Sequence, residues 1–311
     1  MLGRIVEIAG EGRRLSLDRG FLTISGPDGP LGQVPLDDIE AVIASNPAIT
    51  YSNQILAALA ARGAPVVICA PNFTPAAYLL PVNGHHAQGD RVEAQAAATQ
   101  PSKKRLWSEI IRAKLRAQAA ALERAGENPL VVRTLVARVR SGDPENIEAQ
   151  AAQRYLPALF GKGFTRDRDA DGVNAHLNYG YTVLRAATAR AIVAAGLHPS
   201  LGLHHKSRGD AMRLADDLME PFRPAVDLIA RALRDEGITM MDTATKRRLA
   251  GVLHADYRTD EGVTTLSNAL ARLAQSLSQI YLRQRLRLLL PLSPIPLELS
   301  AGSALEQEDV A

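Results

Sequence analysis

The pattern of hydrophobic and polar positions changes along the chain, from short alternating runs to a longer helical period. Before residue 84, β-branched and alternating residues form short runs separated by glycine, proline and aspartate, as is typical of strands and turns. One helical pattern, SNQILAALAARG, interrupts these runs, with Ser52 as the expected N-cap and Gly63 as the expected end. The pattern predicts a β-rich N-terminal domain over residues 1–83 that acts as a scaffold.

The second pattern predicts a larger domain built from helices. Residues 84–100 are polar and rich in small residues and are interpreted as a linker, in which His85 and His86 are solvated. From residue 101, apolar positions recur at helical spacing, which predicts an all-helical C-terminal domain over residues 101–290. Residues 291–311 are expected to form a frayed tail. The predicted fold class is therefore α+β.

Composition limits the kinds of protein that this chain can be. Its 311 residues are 46% hydrophobic and 22% charged, which is ordinary for a soluble globular protein. A single cysteine, Cys69, excludes an intramolecular disulfide and fits a reducing cytoplasm. The start of the chain becomes charged too early for a signal peptide, and no apolar run is long enough to span a bilayer. We expect a cytoplasmic protein that does not bind membranes.

One carboxylate falls on the apolar side of a predicted helix. In DPENIEAQAAQRYLPALFG, Glu148 shares its face with Ala151, Ala152, Tyr155 and Leu159. A carboxylate in that position costs several kcal/mol unless a cation or hydrogen bonds satisfy it. Spacing favours a ligand for a cation but leaves open a structural ion pair with an arginine.

A second group of carboxylates lies in GLHHKSRGDAMRLADDLMEPFRP. Asp217 and Glu220 share one flank of a predicted helix, whereas Asp216 points further toward solvent. Either solvent screens the repulsion between the two or a cation lies between them, and on an ordinary helix solvent is the commoner explanation. Pro221 and Pro224 are expected to bend or divide this helix just past Glu220, which would place that carboxylate at a helix end.

Two histidines just upstream could complete a metal site. His204 and His205 supply imidazole nitrogen, and one histidine with two carboxylates suits magnesium or manganese. Such an ion can polarise a phosphate oxygen during attack on phosphorus. Net charge is only +3, so nucleic-acid binding must be argued from local basic patches.

Basic residues near these candidate ligands are the expected contacts to a DNA backbone. Most basic residues on helices are simply solvated, but concentration beside a phosphate-attacking site favours a role in binding. The candidates are Lys162, Arg166, Lys206 and Arg208. A further cluster on the first long helix, assigned mainly to a solvated face, comprises Lys103, Lys104, Arg105, Arg112, Lys114 and Arg116.

Taken together, the motifs resemble the CRISPR-associated integrase of the spacer-acquisition machinery, particularly the type II form. The resemblance runs through nearly the whole chain, and its most specific parts are ExxAAxxY from Glu148, LNYGYTVL, AGLHPSLGLHH ending at His205, and LADDLMEPFRP around Glu220. It implies a β-rich domain, a linker and a helical domain whose metal ligands are Glu148, His205 and Glu220. It also implies an auxiliary acidic role for Asp217 and leaves His204 as a neighbour or DNA contact.

The resemblance further implies a reaction and its partners. Such proteins are homodimers, and two dimers hold a dimer of a small companion protein. The complex binds a short DNA duplex, and each 3′-hydroxyl attacks a phosphodiester at a repeat boundary in a metal-dependent transesterification, with endonuclease activity alongside. Two alternatives remain open: a metal-dependent nuclease acting on branched DNA, and a non-catalytic, helical DNA-binding scaffold whose acidic cluster is solvated.

Overall fold

The computed structural model describes residues 4–70, 75–206 and 210–298. The chain divides into two compact units, and the boundary falls between Gly84 and His85. The first unit is rich in strands and the second in helices, so the predicted α+β class is confirmed.

Two four-stranded sheets form the first unit around one apolar core. One sheet has the order β1-β5-β7-β8, with β8 antiparallel to its neighbour and the other pairs parallel. The other has the order β4-β3-β2-β6, antiparallel except where β6 joins β2. The elements are β1 (Arg4–Ile8), β2 (Arg14–Asp18), β3 (Phe21–Gly26), β4 (Gly29–Pro35), β5 (Ile39–Ala44), β6 (Thr50–Tyr51), α1 (Asn53–Ala61), β7 (Val66–Cys69) and β8 (Pro75–Leu79).

The helix predicted inside this strand-rich part is confirmed as α1. Ser52 caps it by accepting a hydrogen bond from the Ile55 amide at 3.3 Å. The chain leaves the helix at Gly63, whose φ of 70° lies in the left-handed region that glycine adopts without strain. Ile55 and Leu59 on its inner face are fully buried in the core of the unit.

The second unit packs its helices around α3, α6 and α10, whose apolar faces are buried. None of the helices among the described residues combines the length and the apolar character that crossing a bilayer requires. The elements are α2 (Gln88–Ala96), α3 (Gln100–Arg124), α4 (Leu130–Arg133), α5 (Ile147–Phe160), α6 (Val173–Ala194), α7 (Arg213–Met219), α8 (Arg223–Asp235), α9 (Thr243–Ala250), β9 (Asp256–Thr259), β10 (Gly262–Thr265) and α10 (Leu266–Tyr281).

The second unit is not all-helical, because β9 and β10 form an antiparallel hairpin. Its turn falls at Asp260 and Glu261, and this DEG sequence is typical of a hairpin connection. Part of the expected tail is bound to this hairpin: the amides of Leu292 and Leu297 each donate to a carbonyl of β9 at 2.8 Å. The remainder of the tail, from residue 299, lies outside the described residues.

The expected linker also contains structure, since α2 lies within it. Gln95 of α2 is fully buried, and its amide nitrogen donates to the carbonyls of His198 and Leu201 at 3.0 and 2.9 Å. Its side-chain oxygen accepts from the His198 amide at 2.8 Å. These bonds join α2 to the loop that follows α6.

The helical pattern around Glu220 is divided where its prolines predict. α7 ends at Met219, a 3₁₀ turn covers Glu220–Phe222, and α8 begins at Arg223. Pro221 and Pro224 fall in the first turns of the two segments, where a missing backbone donor is tolerated. The prediction that Glu220 lies at a helix end is therefore confirmed.

Candidate metal centre

Glu148 of α5 and Glu220 of the 3₁₀ turn converge on one cationic group, the ammonium of Lys114. Lys114 Nζ lies 2.7 Å from Glu148 Oε1 and 2.5 Å from Glu220 Oε2. Lys114 and Glu220 are buried, and the Glu148 side chain is 22% exposed, so solvent can reach the group from the Glu148 side. Two carboxylates from distant parts of the sequence therefore lie within contact distance of a single atom.

The loop before α5 fixes the position of Glu148. Asp143 adopts a φ of 49°, and its two carboxylate oxygens accept hydrogen bonds from the amides of Ile147 and Glu148, both at 2.9 Å. Asp143 precedes the N-cap residue Asn146, and its two bonds satisfy amides that every helix start leaves without a partner. Tyr155 and Leu159 on the same face of α5 are buried, which holds Glu148 toward the interior of the unit.

Glu220 is a buried carboxylate that two cations keep ionised. Burial raises its pKa, but Arg223 and Lys114 outweigh burial and hold the pKa of Glu220 below its usual value. Arg223 Nε lies 3.2 Å from Glu220 Oε1. Glu220 Oε2 is held by the ammonium of Lys114, whose charge and hydrogen bond both lower the pKa of Glu220.

Asp217 holds the loop that carries His204 and His205 through hydrogen bonds to its backbone. It is fully buried, and it accepts hydrogen bonds from the amides of Leu203, His204 and His205 at 2.6, 3.2 and 3.2 Å. It also contacts His205 directly, with 2.7 Å between Asp217 Oδ1 and His205 Nδ1. This bond raises the pKa of His205 against the opposing effect of burial, and the charge of Glu220 adds to the rise. Metal-bound histidines commonly hold a carboxylate in this way, which leaves the second ring nitrogen for the metal.

Close packing allows little freedom to the loop that carries His205. A Cβ added to Gly202 would lie 2.8 Å from Asp217 Oδ2, so a larger residue there would displace the carboxylate. Trp107 of α3 stacks on the ring of His204, with 4.4 Å between ring centroids, and meets the ring of His205 edge-on at 5.7 Å. His204 is exposed beyond this stack.

The predicted DNA contacts differ in their surroundings. Lys162 and Lys206 are exposed. Arg166 is half-buried and donates to the side-chain oxygens of Asn174 and Asn178 at 2.9 and 2.5 Å, so its guanidinium is already fixed. Arg208 lies outside the described residues.

Asp216 does not point to solvent as its position on the helical pattern predicted. Its two oxygens accept hydrogen bonds from Arg185 at 2.7 and 2.6 Å, and Asp210 binds the same guanidinium. Burial raises the pKa of Asp216 to about 6; Arg185 opposes this rise and Asp210 adds to it. Asp216 thus belongs to a separate ion pair, because α6 packs over the side of α7 that the sequence alone leaves open.

Sequence reasoning missed the cation at the centre of the site. The expectation that Lys114 belongs to a solvated face was wrong for this residue, which is buried. A signal was present, because Lys114 follows Ile110 and Ile111 at spacings of four and three residues and so continues their apolar stripe. The same criterion singles out Glu148.

A second buried carboxylate, Asp227, was also missed. Asp227 of α8 accepts hydrogen bonds from the hydroxyls of Tyr155, at 2.9 Å, and Tyr181. The Arg223 guanidinium lies 4.7 Å from the centre of the Tyr181 ring, which places this cluster beside Glu220. The signal for this cluster in the sequence was weak, because its three side chains come from three separate helices.

The donor set fits a divalent ion in kind, although the side chains are not arranged as a metal-binding group. Among the described residues, no three histidine, cysteine, aspartate or glutamate side chains stand at metal-binding separations. The two carboxylates instead meet at the ammonium of Lys114. Two carboxylates and an oriented imidazole are the ligand types that magnesium and manganese accept in partly open sites.

Comparison with known proteins places the chain beside one group. A profile of the family described as CRISPR associated protein Cas1 matches residues 6–261. The chain is 42% identical, over 73% of its length and 74% of the relative's, to a CRISPR-associated endonuclease Cas1 of Neisseria meningitidis serogroup C. A second relative, a CRISPR-associated endonuclease Cas1 2 of Pyrobaculum aerophilum, is 29% identical over 74% of this chain and 83% of its own.

Solved structures agree on the fold. A casposase bound to integration product superposes with a TM-score of 0.78 at 20% identity, covering 93% of this chain and 92% of that one. A CAS1 protein from Thermotoga maritima gives 0.74 at 14% identity, with 92% and 99% covered. A chain of a Cas6-RT-Cas1–Cas2 complex gives 0.73 at 17% identity, with 91% and 35% covered.

Proposed function

Since the chain belongs to the family of CRISPR-associated Cas1 proteins, we propose that it integrates DNA into a CRISPR array. In this reaction the 3′-hydroxyl ends of a short duplex attack phosphodiesters at the ends of a repeat, and the same site has endonuclease activity. The observation that carries the proposal is the convergence of Glu148 and Glu220 on one cationic position, beside a histidine that Asp217 orients.

Glu148, Glu220 and His205 are the residues that would hold the divalent ion, magnesium or manganese. When bound, the ion supplies a Lewis acid that polarises the phosphodiester and offsets negative charge as the bonds exchange. Asp217 fixes the ring orientation of His205, and Asp143 fixes the backbone at Glu148. The three proposed ligands do not stand at metal-binding separations among the described residues, so their side chains would have to close around the ion.

The chemistry requires no nucleophile from the protein. One P–O bond forms to the attacking 3′-oxygen and one P–O bond breaks, so neither a redox partner nor a nucleotide cofactor is needed. Exposed Lys162 and Lys206 would contact DNA phosphates, as would exposed His204. Arg166 would act from its fixed position between Asn174 and Asn178, and Arg208 remains a proposed contact from the sequence alone.

We further propose that the protein works as a homodimer with a small companion protein of the adaptation complex. The likeness to a chain of a Cas1–Cas2 complex supports this assembly at the level of the fold. A small companion that spans two dimers would fix the distance between two sites, and thereby the length of DNA inserted.

The test is joining of a short duplex with 3′-hydroxyl ends to a supercoiled plasmid carrying a repeat, with the companion protein and Mg²⁺ or Mn²⁺. The expected product is a plasmid with covalently attached duplex, and the matched duplex with 3′-dideoxy ends should not join. Cutting of branched DNA without joining would favour the nuclease alternative. DNA binding with neither reaction would favour the scaffold.

A further inference from the structure

We propose that Lys114 is the resident counter-ion of the site: its ammonium balances Glu148 and Glu220 until a divalent ion takes its place. Lys114 then sets how tightly the protein binds metal and stabilises the site when metal is absent. This inference rests on the proposed function, because it takes the divalent ion to bind at these two carboxylates.

Competition for the same oxygens is the first support. Lys114 Nζ contacts Glu148 Oε1 at 2.7 Å and Glu220 Oε2 at 2.5 Å. An ion bound between the two carboxylates must take at least one of these oxygens, so it cannot bind while the ammonium keeps both contacts. The lysine fits a replaceable counter-ion, because its charge is compact and sits on a flexible four-carbon stem.

The need for a counter-ion is the second support. Glu220 is buried beneath the surface of the unit, and two carboxylates that approach one position would repel each other there. Arg223 offsets part of the charge through Glu220 Oε1, but it leaves Oε2 to Lys114. Without Lys114 the metal-free site would hold a buried carboxylate oxygen with no cation in contact, which would destabilise the folded protein.

A purely structural lysine predicts the opposite sign for metal binding. If Lys114 only held the two carboxylates in place, its loss would loosen the ligands and weaken binding. If it competes with the ion, its loss makes the site more negative and strengthens binding. The direction of the change in affinity therefore separates the two roles.

The experiment measures Mn²⁺ binding to the full chain by calorimetry and by electron paramagnetic resonance. We expect Lys114→Met to bind Mn²⁺ at least about tenfold more tightly than wild type, since one adjacent positive charge is removed. Lys114→Arg, which keeps the charge, should stay within about threefold of wild type. Lys104→Met is the matched control, because Lys104 lies on the same helix and is exposed. The Mn²⁺ affinity of this variant should equal that of wild type.

Thermal unfolding is a second readout that needs no catalysis. In EDTA, Lys114→Met should unfold at a lower temperature than wild type, and Mn²⁺ should raise its midpoint by more than it raises that of wild type. If Lys114→Met does not fold, Lys114→Gln takes its place, since its neutral amide can still donate to a carboxylate. The same increase in affinity is expected from it.

The outcomes separate this inference from the proposed function. Unchanged or weaker Mn²⁺ binding by the neutral Lys114 variants overturns the role of Lys114. If Glu220→Gln loses Mn²⁺ binding in the same experiment, the proposed metal site is still supported. If wild type, Lys114→Met and Lys114→Gln all fail to bind Mn²⁺, both the metal site and this inference are rejected.

Discussion

Glu220 and Asp227 are buried carboxylates on neighbouring helical segments, and their surroundings give them opposite electrostatic behaviour. Although burial acts against ionisation in both, the cations Arg223 and Lys114 hold the pKa of Glu220 below its usual value. Asp227 is bonded to two hydroxyls, and burial raises its pKa to about 6 despite those bonds. Burial alone therefore does not decide whether a carboxylate is ionised; its partners do.

The comparison separates a carboxylate that contacts cations from one that is held by neutral hydroxyls. Glu220 stays charged, and its two oxygens contact Lys114 and Arg223. Asp227 has both oxygens engaged by Tyr155 and Tyr181. We therefore expect changes at Glu220 to act on metal binding and joining, and changes at Asp227 to act on stability.

The largest expected effect follows from removing the charge of Glu220. Glu220→Gln should lower Mn²⁺ affinity and joining activity by more than about a hundredfold, because a proposed ligand is lost while side-chain volume is kept. Calorimetry and the plasmid-joining assay measure the two quantities. Glu236→Gln, at an exposed pair with Arg248, is the control and should behave as wild type. Equal activity in the two variants would place the metal elsewhere.

The next effect concerns the link between Asp217 and His205. Asp217→Asn should weaken Mn²⁺ binding by about 10- to 100-fold, the usual cost of losing a carboxylate that orients a metal-bound histidine. Asp235→Asn, in an exposed pair with Arg231, serves as the control and should leave affinity unchanged. A wild-type affinity in Asp217→Asn would mean that His205 does not bind the ion.

The same pair predicts how metal binding depends on pH. Asp217 raises the pKa of His205 above its ordinary value of 6.5. The protonated imidazole contributes stability that is present below 6.5 and is lost as pH rises through the raised pKa, whereas a metal needs the neutral ring. Mn²⁺ affinity should therefore fall as pH drops through the raised pKa, and the midpoint should move to lower pH in Asp217→Asn. Calorimetry across a pH series measures both midpoints.

A smaller effect is expected on stability at Asp227. Its folded pKa of about 6 lies above the ordinary 3.8, so the stability that its protonated form provides is complete below 3.8 and is lost as pH rises through 6. The wild type should therefore lose stability relative to Asp227→Asn by up to about 1.4 kcal/mol per pH unit in that interval. Chemical unfolding at several pH values measures the difference. A difference that does not change with pH would show that Asp227 is ionised throughout.

The smallest effect on stability is expected from removing the hydroxyl of Tyr155. Tyr155→Phe removes one hydrogen bond to Asp227 and should lower the free energy of unfolding by about 1 to 3 kcal/mol at neutral pH. Metal affinity should change little, since the hydroxyl that is removed binds Asp227 and not a proposed metal ligand. A large loss of Mn²⁺ binding in Tyr155→Phe would contradict this and would show that the Asp227 cluster contributes to metal binding at Glu220.

Local patterns were enough to predict much of the fold. Alternating and helical periods locate the strand-rich and helix-rich parts, and Pro221 and Pro224 locate the break after Glu220, since proline lacks a backbone donor. The β9–β10 hairpin was missed because its strands are short and lie between strong helical patterns. α2 was missed because its polar residues read as a linker until their partners are known.

The candidate site could be predicted only in part, for a similar reason. Glu148 stands out because it lies on an apolar stripe, and the resemblance to the family implies His205 and Glu220 as the other two ligands. The pairing of Lys114 with both carboxylates depends on how α3 packs against α5 and the 3₁₀ turn. Such contacts join residues far apart in sequence, so no local period indicates them.

The bonds of Gln95 decide where the second unit can be cut. A fragment that begins at residue 101, where the strong helical pattern starts, would lack α2 and leave three backbone groups of residues 198–201 without their partner. Those groups belong to the turn just before the His205 loop, so the shortened fragment should bind Mn²⁺ less tightly than one that begins at residue 85. The segment before residue 101, whose sequence resembles a linker, therefore stabilises the turn that precedes the loop of His204 and His205.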